Sequence, residues 1–203
     1  MRHDYLFFAT IILSILVLLG CCSFSFAEES KKDVEQCIFY MGKLDPVAST
    51  LKVKVGDVAP DFLLPSIAGE RVRLSDYRGK KNVALSFIPA AWSAVCSEQW
   101  PEYNLTEAVF QEYNTIIIGI SVDNIATLYA WSRQRGSFWF PVVSDFWPHG
   151  AVAEQYGVLR TDGLAERALF VIDTEGIVRF VDVHDINSLP DFAKLVIALQ
   201  EVQ

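Results

Sequence analysis

Val83-Ala84-Leu85-Ser86-Phe87-Ile88-Pro89-Ala90-Ala91-Trp92-Ser93-Ala94-Val95-Cys96 holds the boundary between a strand and a helix. Its first six residues are apolar on both faces except for Ser86, the pattern of a strand buried inside a sheet. Pro89 stiffens the loop that follows and removes one backbone donor. A helix is expected from about Ser93, with Trp100, Tyr103, Glu107, Phe110 and Tyr113 at near-helical spacing. Pro101 lies inside that stretch and predicts a kink or a restart. Cys96 therefore falls in the first turn of a helix that leaves the carboxyl end of a strand. In open α/β sheets that is where ligands bind. Free N–H groups and the positive end of the helix dipole stabilise a thiolate there. Ser93 adds a hydroxyl three residues upstream and is also a candidate N-cap.

Working outward, apolar segments alternate with helical ones. Phe62-Leu63-Leu64 and Val72-Leu74 flank the turn Ile67-Ala68-Gly69, a predicted hairpin. Ile116-Ile117-Ile118-Gly119-Ile120 reads as a central parallel strand, and Asp123 is placed to cap the helix running to Gly136. A short strand at Pro141-Val142-Val143-Ser144 and a helix from Ala151 to Tyr156 follow. Ala168-Leu169-Phe170-Val171-Ile172 then pairs with Val178-Arg179-Phe180-Val181, and a last helix spans Leu189 to Gln200. The order is ββ, βαβαβα, ββα. It predicts an α/β protein with a mixed central sheet flanked by helices, and its closing hairpin and helix give the thioredoxin-like arrangement.

The 203 residues carry 17 Lys and Arg against 25 Asp and Glu, a net charge of -8, with no basic run longer than two. That balance argues against nucleic acid as a partner. Residues 1–27 read as a leader: Arg2 and His3 precede an apolar stretch, and Ser25-Phe26-Ala27 suits signal-peptidase cleavage. Leu18-Leu19-Gly20-Cys21 also fits a bacterial lipobox, which would put a lipid anchor on Cys21; an uncleaved anchor is the third reading. All three export the domain to the periplasm or cell envelope. Residues 28–55 read as a linker arm and 56–203 as the folded domain. Cleavage after Ala27 leaves Cys37 and Cys96, too few for a disulfide framework and spaced unlike any metal motif. His3, His149 and His184 are scattered, and there is no CxxC.

The segment resembles the peroxiredoxins of the AhpC/TSA family, whose signature P-x-x-x-[T/S]-x-x-C is matched by Pro89, Ser93 and Cys96. Ile118-Gly119-Ile120-Ser121-Val122-Asp123, Phe140-Pro141 with Ser144-Asp145, Tyr156-Gly157-Val158 and the block opening at Arg167 follow in the family's order. The resemblance implies that Cys96 is the redox nucleophile and that Arg167 points at it. It implies a hydroperoxide substrate, an external thiol reductant (thioredoxin-like or of low molecular weight), a homodimer, and no metal, flavin or nucleotide. Ser93 stands where Thr is commoner, and Gln99 where Glu is frequent, with Glu98 one position earlier. No cysteine follows Cys96, which is similar to the one-cysteine, AhpE-like branch.

Plainer roles stand beside these. Trp92 and Trp147 are candidates for an apolar peroxide pocket or for packing. Arg160 reads as a solvated loop residue. Cys37, in the polar arm, reads as a thiol without a resolving role, resolution of Cys96 being the alternative. The alternative functions are an extracytoplasmic thiol–disulfide oxidoreductase, weakened by the missing CxxC, and a non-catalytic thioredoxin-fold scaffold.

Overall fold

The computed structural model describes residues 36–202. The expected leader over 1–27 and the lipid anchor at Cys21 lie outside them. The chain divides into two compact units, Met1–Ile38 and Phe39–Gln203, and the account below concerns the second. That unit begins at Phe39, so residues 39–55, expected as a linker, belong to the folded body. Lys52 N–H donates to the Tyr156 carbonyl (3.2 Å), and Val53 is buried. Gly157, at φ 75°, lets the two segments meet: a Cβ there would collide with the backbone of Thr50, Leu51 and Lys52.

β1 (Leu63–Pro65) and β2 (Arg71–Arg73) form the expected hairpin. The main sheet holds β3 (Asn82–Phe87), β4 (Thr115–Ser121), β5 (Val142–Ser144), β6 (Arg167–Ile172) and β7 (Val178–His184), in the order β5-β4-β3-β6-β7. β3 pairs in parallel with β4, and β4 with β5, whereas β6 runs antiparallel to both β3 and β7. The sheet is therefore mixed. The helices are α1 (Cys96–Leu105), α2 (Glu107–Glu112), α3 (Ile125–Gln134), α4 (Ala151–Tyr156) and α5 (Phe192–Gln200).

Strand periodicity decides which residues face which layer. Val83, Leu85 and Phe87 join the core shared with the hairpin and α4. Ala84 and Ile88 join the opposite core, built with Trp100 and Tyr103 of α1, Leu128 and Trp131 of α3, and Leu195 and Leu199 of α5. Ser86 alternates onto this second face, as do Arg167, Leu169 and Val171 along β6. A polar residue near the end of β3 and a cation at the start of β6 are thus turned toward α1.

α1 does not restart at Pro101 but continues to Leu105 and breaks at Thr106. A mid-helix proline costs about 3 kcal/mol. Trp100 and Tyr103 on either side of it are buried, and that packing outweighs the local preference. The break falls where the Thr106 hydroxyl turns back to the Glu102 and Tyr103 carbonyls at 3.0 and 3.3 Å.

Candidate active site

The loop from Pro89 to Val95 carries the chain from β3 to α1, and Asp123 at the end of β4 holds it. Asp123 Oδ2 accepts from the Ala91 N–H (2.7 Å) and the Ser121 hydroxyl (2.6 Å). Asn124, not Asp123, caps α3, accepting from the Thr127 N–H at 3.0 Å. Trp92 adopts φ 66°, a left-handed conformation that costs a non-glycine residue roughly 1–3 kcal/mol. Its carbonyl receives the Phe39 N–H at 2.8 Å, so residues from the former linker brace the loop.

Cys96 is the first residue of α1 and is fully buried. Arg167, the first residue of β6, is also fully buried, and its Nη2 donates to Cys96 Sγ at 3.5 Å. The guanidinium has further partners in the Ile186 carbonyl (3.1 Å from Nη2, 3.4 Å from Nε) and in Gln99 Oε1. Among the described residues no carboxylate lies within ion-pair distance of it. A buried cation requires hydrogen bonds and a counter-charge. Neutral acceptors supply the hydrogen bonds here, and the Cys96 sulfur is the remaining group in contact with the guanidinium.

Gln99 is oriented from behind. Its Nε2 donates to Ser86 Oγ (3.3 Å) and to the Tyr103 hydroxyl (3.2 Å), which leaves Oε1 to face Arg167. Ser86 Oγ also accepts from Trp100 Nε1 at 3.0 Å. Burial pushes the Tyr103 phenol up, so it stays protonated across the ordinary pH range. Gly119 makes room for this layer: a Cβ there would sit 2.7 Å from Trp100 Cζ2.

The structure therefore brings Cys96, Arg167 and Gln99 together. Ser93 is buried beside them, but its hydroxyl donates to the Ala90 carbonyl (3.0 Å) rather than capping α1, whose N-cap is Val95 without a side-chain bond. Pro89 is buried in the same loop, whereas Glu98 points to solvent. Cys37 is exposed and belongs to the other compact unit. Arg160 is not a solvated loop residue. It is buried, paired with Glu166 (2.9 Å) and Asp162 (3.1 Å), and donates to the Asp45 carbonyl at 3.1 Å. Glu166 takes the Ala48 N–H at 2.6 Å, so this ion pair anchors residues 45–48. Trp147 is 83% exposed. Neither it nor Trp92 lines the cavity beside Arg167 and Ser93, which residues 40–44, Ala94, Val95, Ile186 and Asn187 enclose.

Spacing did not reveal Tyr103, the Ile186 carbonyl or residues 40–44. Ser86 alone left a trace, as the one polar residue in an apolar strand. No group of three or more His, Cys, Asp or Glu among the described residues is placed to hold a metal.

The fold is thus a thioredoxin-like sheet in which a buried cysteine opens the helix after β3 and an arginine lies against its sulfur. Residues 55–181 match the family model described as AhpC/TSA family. The chain belongs to that family and is a thiol-dependent peroxidase, an oxidoreductase. It is 39% identical over 140 residues to alkyl hydroperoxide reductase E of Mycobacterium tuberculosis (strain ATCC 25618 / H37Rv), covering 68% of this chain and 91% of that one. It is 32% identical over 162 residues to the chloroplastic 2-Cys peroxiredoxin BAS1 of Arabidopsis thaliana, covering 73% and 60%. Among solved structures, peroxidoxin BcpB from Mycobacterium tuberculosis aligns with TM-score 0.66 and 30% identity, covering 75% of this chain and 99% of that one. Reduced 2-Cys peroxiredoxin from Plasmodium vivax aligns with TM-score 0.68 and 26% identity, covering 73% and 81%. The oxidoreductase-of-disulfides and scaffold alternatives are not favoured by these relatives.

Proposed function

We propose that Cys96 is the peroxidatic residue and that Arg167, Gln99, Ser93 and Pro89 form its working environment. The observation that carries this reading is the Arg167 Nη2 to Cys96 Sγ contact at 3.5 Å, made by a buried guanidinium without a carboxylate partner. The Cys96 thiolate attacks one oxygen of the hydroperoxide and the O–O bond breaks. Sulfur loses two electrons and becomes Cys96–SOH, while the departing oxygen takes a proton and leaves as water or an alcohol. Arg167 stabilises the thiolate and the negative charge as it moves onto the leaving oxygen. Gln99 acts through Arg167 and is a positioning residue. Ser93 lines the cavity beside Arg167 and adds a hydroxyl oxygen there.

Return to the thiol needs two electrons from an external thiol. The first thiol condenses with Cys96–SOH to give a mixed disulfide and water, and the second releases Cys96. Cys37 is assigned no part in this cycle. Export, with cleavage after Ala27 or lipid on Cys21, and homodimer formation are further parts of the proposal. The leader-like composition of residues 1–27 supports export, and the family supports the dimer.

Mass spectrometry of the reduced protein after one equivalent of hydrogen peroxide tests the chemistry. One added oxygen on Cys96 is expected, with neither adduct nor turnover in Cys96→Ser. Peroxide consumption by that variant at the parental rate would end the assignment. N-terminal sequencing of protein from the native host tests export: a start at Glu28 or a lipidated Cys21 supports it, and an intact Met1 in the cytosol refutes it.

A further inference from the structure

Residues 40–44 form one wall of the cavity beside Arg167 and Ser93, yet they lie outside the segment matched by the family model, 55–181. They are held as a strap at both ends. Phe39 N–H donates to the Trp92 carbonyl (2.8 Å) and bridges Ser93, which fixes one end to the loop before Cys96. At the other end, Leu44 N–H donates to Asn187 Oδ1 (3.0 Å), and Asn187 Nδ2 returns a bond to the Leu44 carbonyl (2.9 Å). Ile186, whose carbonyl binds Arg167, donates its N–H to the Pro46 carbonyl at 3.2 Å. One short loop therefore holds both the guanidinium and the strap.

The strap also has a sidedness. Gly42 and Lys43 are exposed, while Met41 and Leu44 are half-buried. Gly42 lies between them at φ 74°, a conformation glycine adopts without steric cost. The cavity holds about 390 Å³. A water molecule occupies about 30 Å³ in the liquid, so a molecule the size of hydrogen peroxide fills a small part of it. Most of the surface that lines it is apolar, and Tyr40, Lys43 and Asn187 add polar groups to those of Arg167 and Ser93. Such a shape matches a ligand with one polar end and an apolar body.

We propose that the strap is a specificity element: Met41 and Leu44, with Val95 and Ile186, contact the organic substituent of a hydroperoxide whose O–O group sits by Arg167. This rests on Cys96 being the peroxidatic thiol. Selectivity then comes from a segment ahead of the family-matched region, and Cys96, Arg167 and Gln99 are left as they are.

The test is the ratio of second-order rate constants for Cys96 oxidation by cumene hydroperoxide and by hydrogen peroxide, in the full chain and in M41S/L44S. Loss of apolar contacts in a pocket discriminates by roughly 10-fold or more per group, so the ratio should fall about 5- to 20-fold with partly exposed side chains. A ratio within twofold of the parent, or equal losses with both peroxides, would overturn the proposal. Asn187→Ala, which frees the strap from its C-terminal tie, should lower the same ratio and serves if the double variant fails to fold. Failure of the underlying assignment looks different, because Cys96→Ser would then still consume hydrogen peroxide.

Discussion

Replacing Arg167 with Met removes the guanidinium while keeping an unbranched stem of comparable length in a fully buried site. Two consequences can be separated. The first is chemical. A hydrogen bond involving a charged group is worth about 1.5–3 kcal/mol. Losing it where negative charge passes from sulfur to the leaving oxygen should slow Cys96 oxidation about 10- to 150-fold. The second is structural. Gln99 Oε1 and the Ile186 carbonyl lose their donor, at about 1–3 kcal/mol for each acceptor left unsatisfied. Removing a buried cation that has no carboxylate partner offsets part of that cost. The unfolding midpoint should therefore move less than the two orphaned acceptors alone imply, whereas the rate should fall by the full chemical term. Single-turnover oxidation of the reduced protein by limiting hydrogen peroxide measures the rate, and urea unfolding measures the stability. A rate within threefold of the parent, in a protein shown to be folded, would remove Arg167 from the reacting centre.

Gly119→Ala should destabilise the protein by roughly 1–3 kcal/mol, because the new methyl would meet the Trp100 ring; a urea midpoint equal to the parent's would contradict that packing. Ser93→Ala should slow Cys96 oxidation by less than Arg167→Met does, since the guanidinium in contact with the sulfur remains, and the same single-turnover assay decides it. Asp173 is partly buried, which opposes ionisation, but the Ile177 N–H, the Arg179 side chain and the Glu175 N–H outweigh this and hold its carboxyl below 3.8. A depressed folded-state value stabilises the fold above the unfolded value and loses that contribution as pH falls through the folded one. Asp173→Asn should therefore cost stability at pH 6 and progressively less below about pH 4; urea midpoints for both proteins at pH 6 and pH 3 test this, and a difference that does not shrink refutes it.

Much of the fold was legible in local patterns. The apolar runs at 83–88, 116–120 and 168–172 became β3, β4 and β6 because apolar character on both faces over that length, interrupted only by Ser86, satisfies a strand buried on both faces. The placement of Cys96 at the start of α1 was equally readable, since it depends only on Pro89 and on the helical spacing that follows. Local signals misled where a distant contact outweighed them. Pro101 sits in an unbroken helix because Trp100 and Tyr103 are packed beneath it. Asp123 binds Ala91, thirty-two residues away, and leaves the cap to Asn124. Arg160 looked like a loop cation until Glu166 and the Asp45 carbonyl closed around it.

The amino-acid sequence alone determined the alternation of strands and helices, the spacing of Pro89, Ser93 and Cys96, and the presence of an arginine at the head of β6, because each is expressed within a few neighbouring residues. Tertiary structure alone decided that Gln99 rather than a carboxylate would meet Arg167, that Ser86 and Tyr103 would aim its amide, and that residues 40–44 would wall the cavity. These depend on which faces of β3, β6 and α1 meet and on where a loop near residue 187 returns. Contacts between residues 68 or 143 positions apart leave no periodicity in the chain for a local pattern to carry.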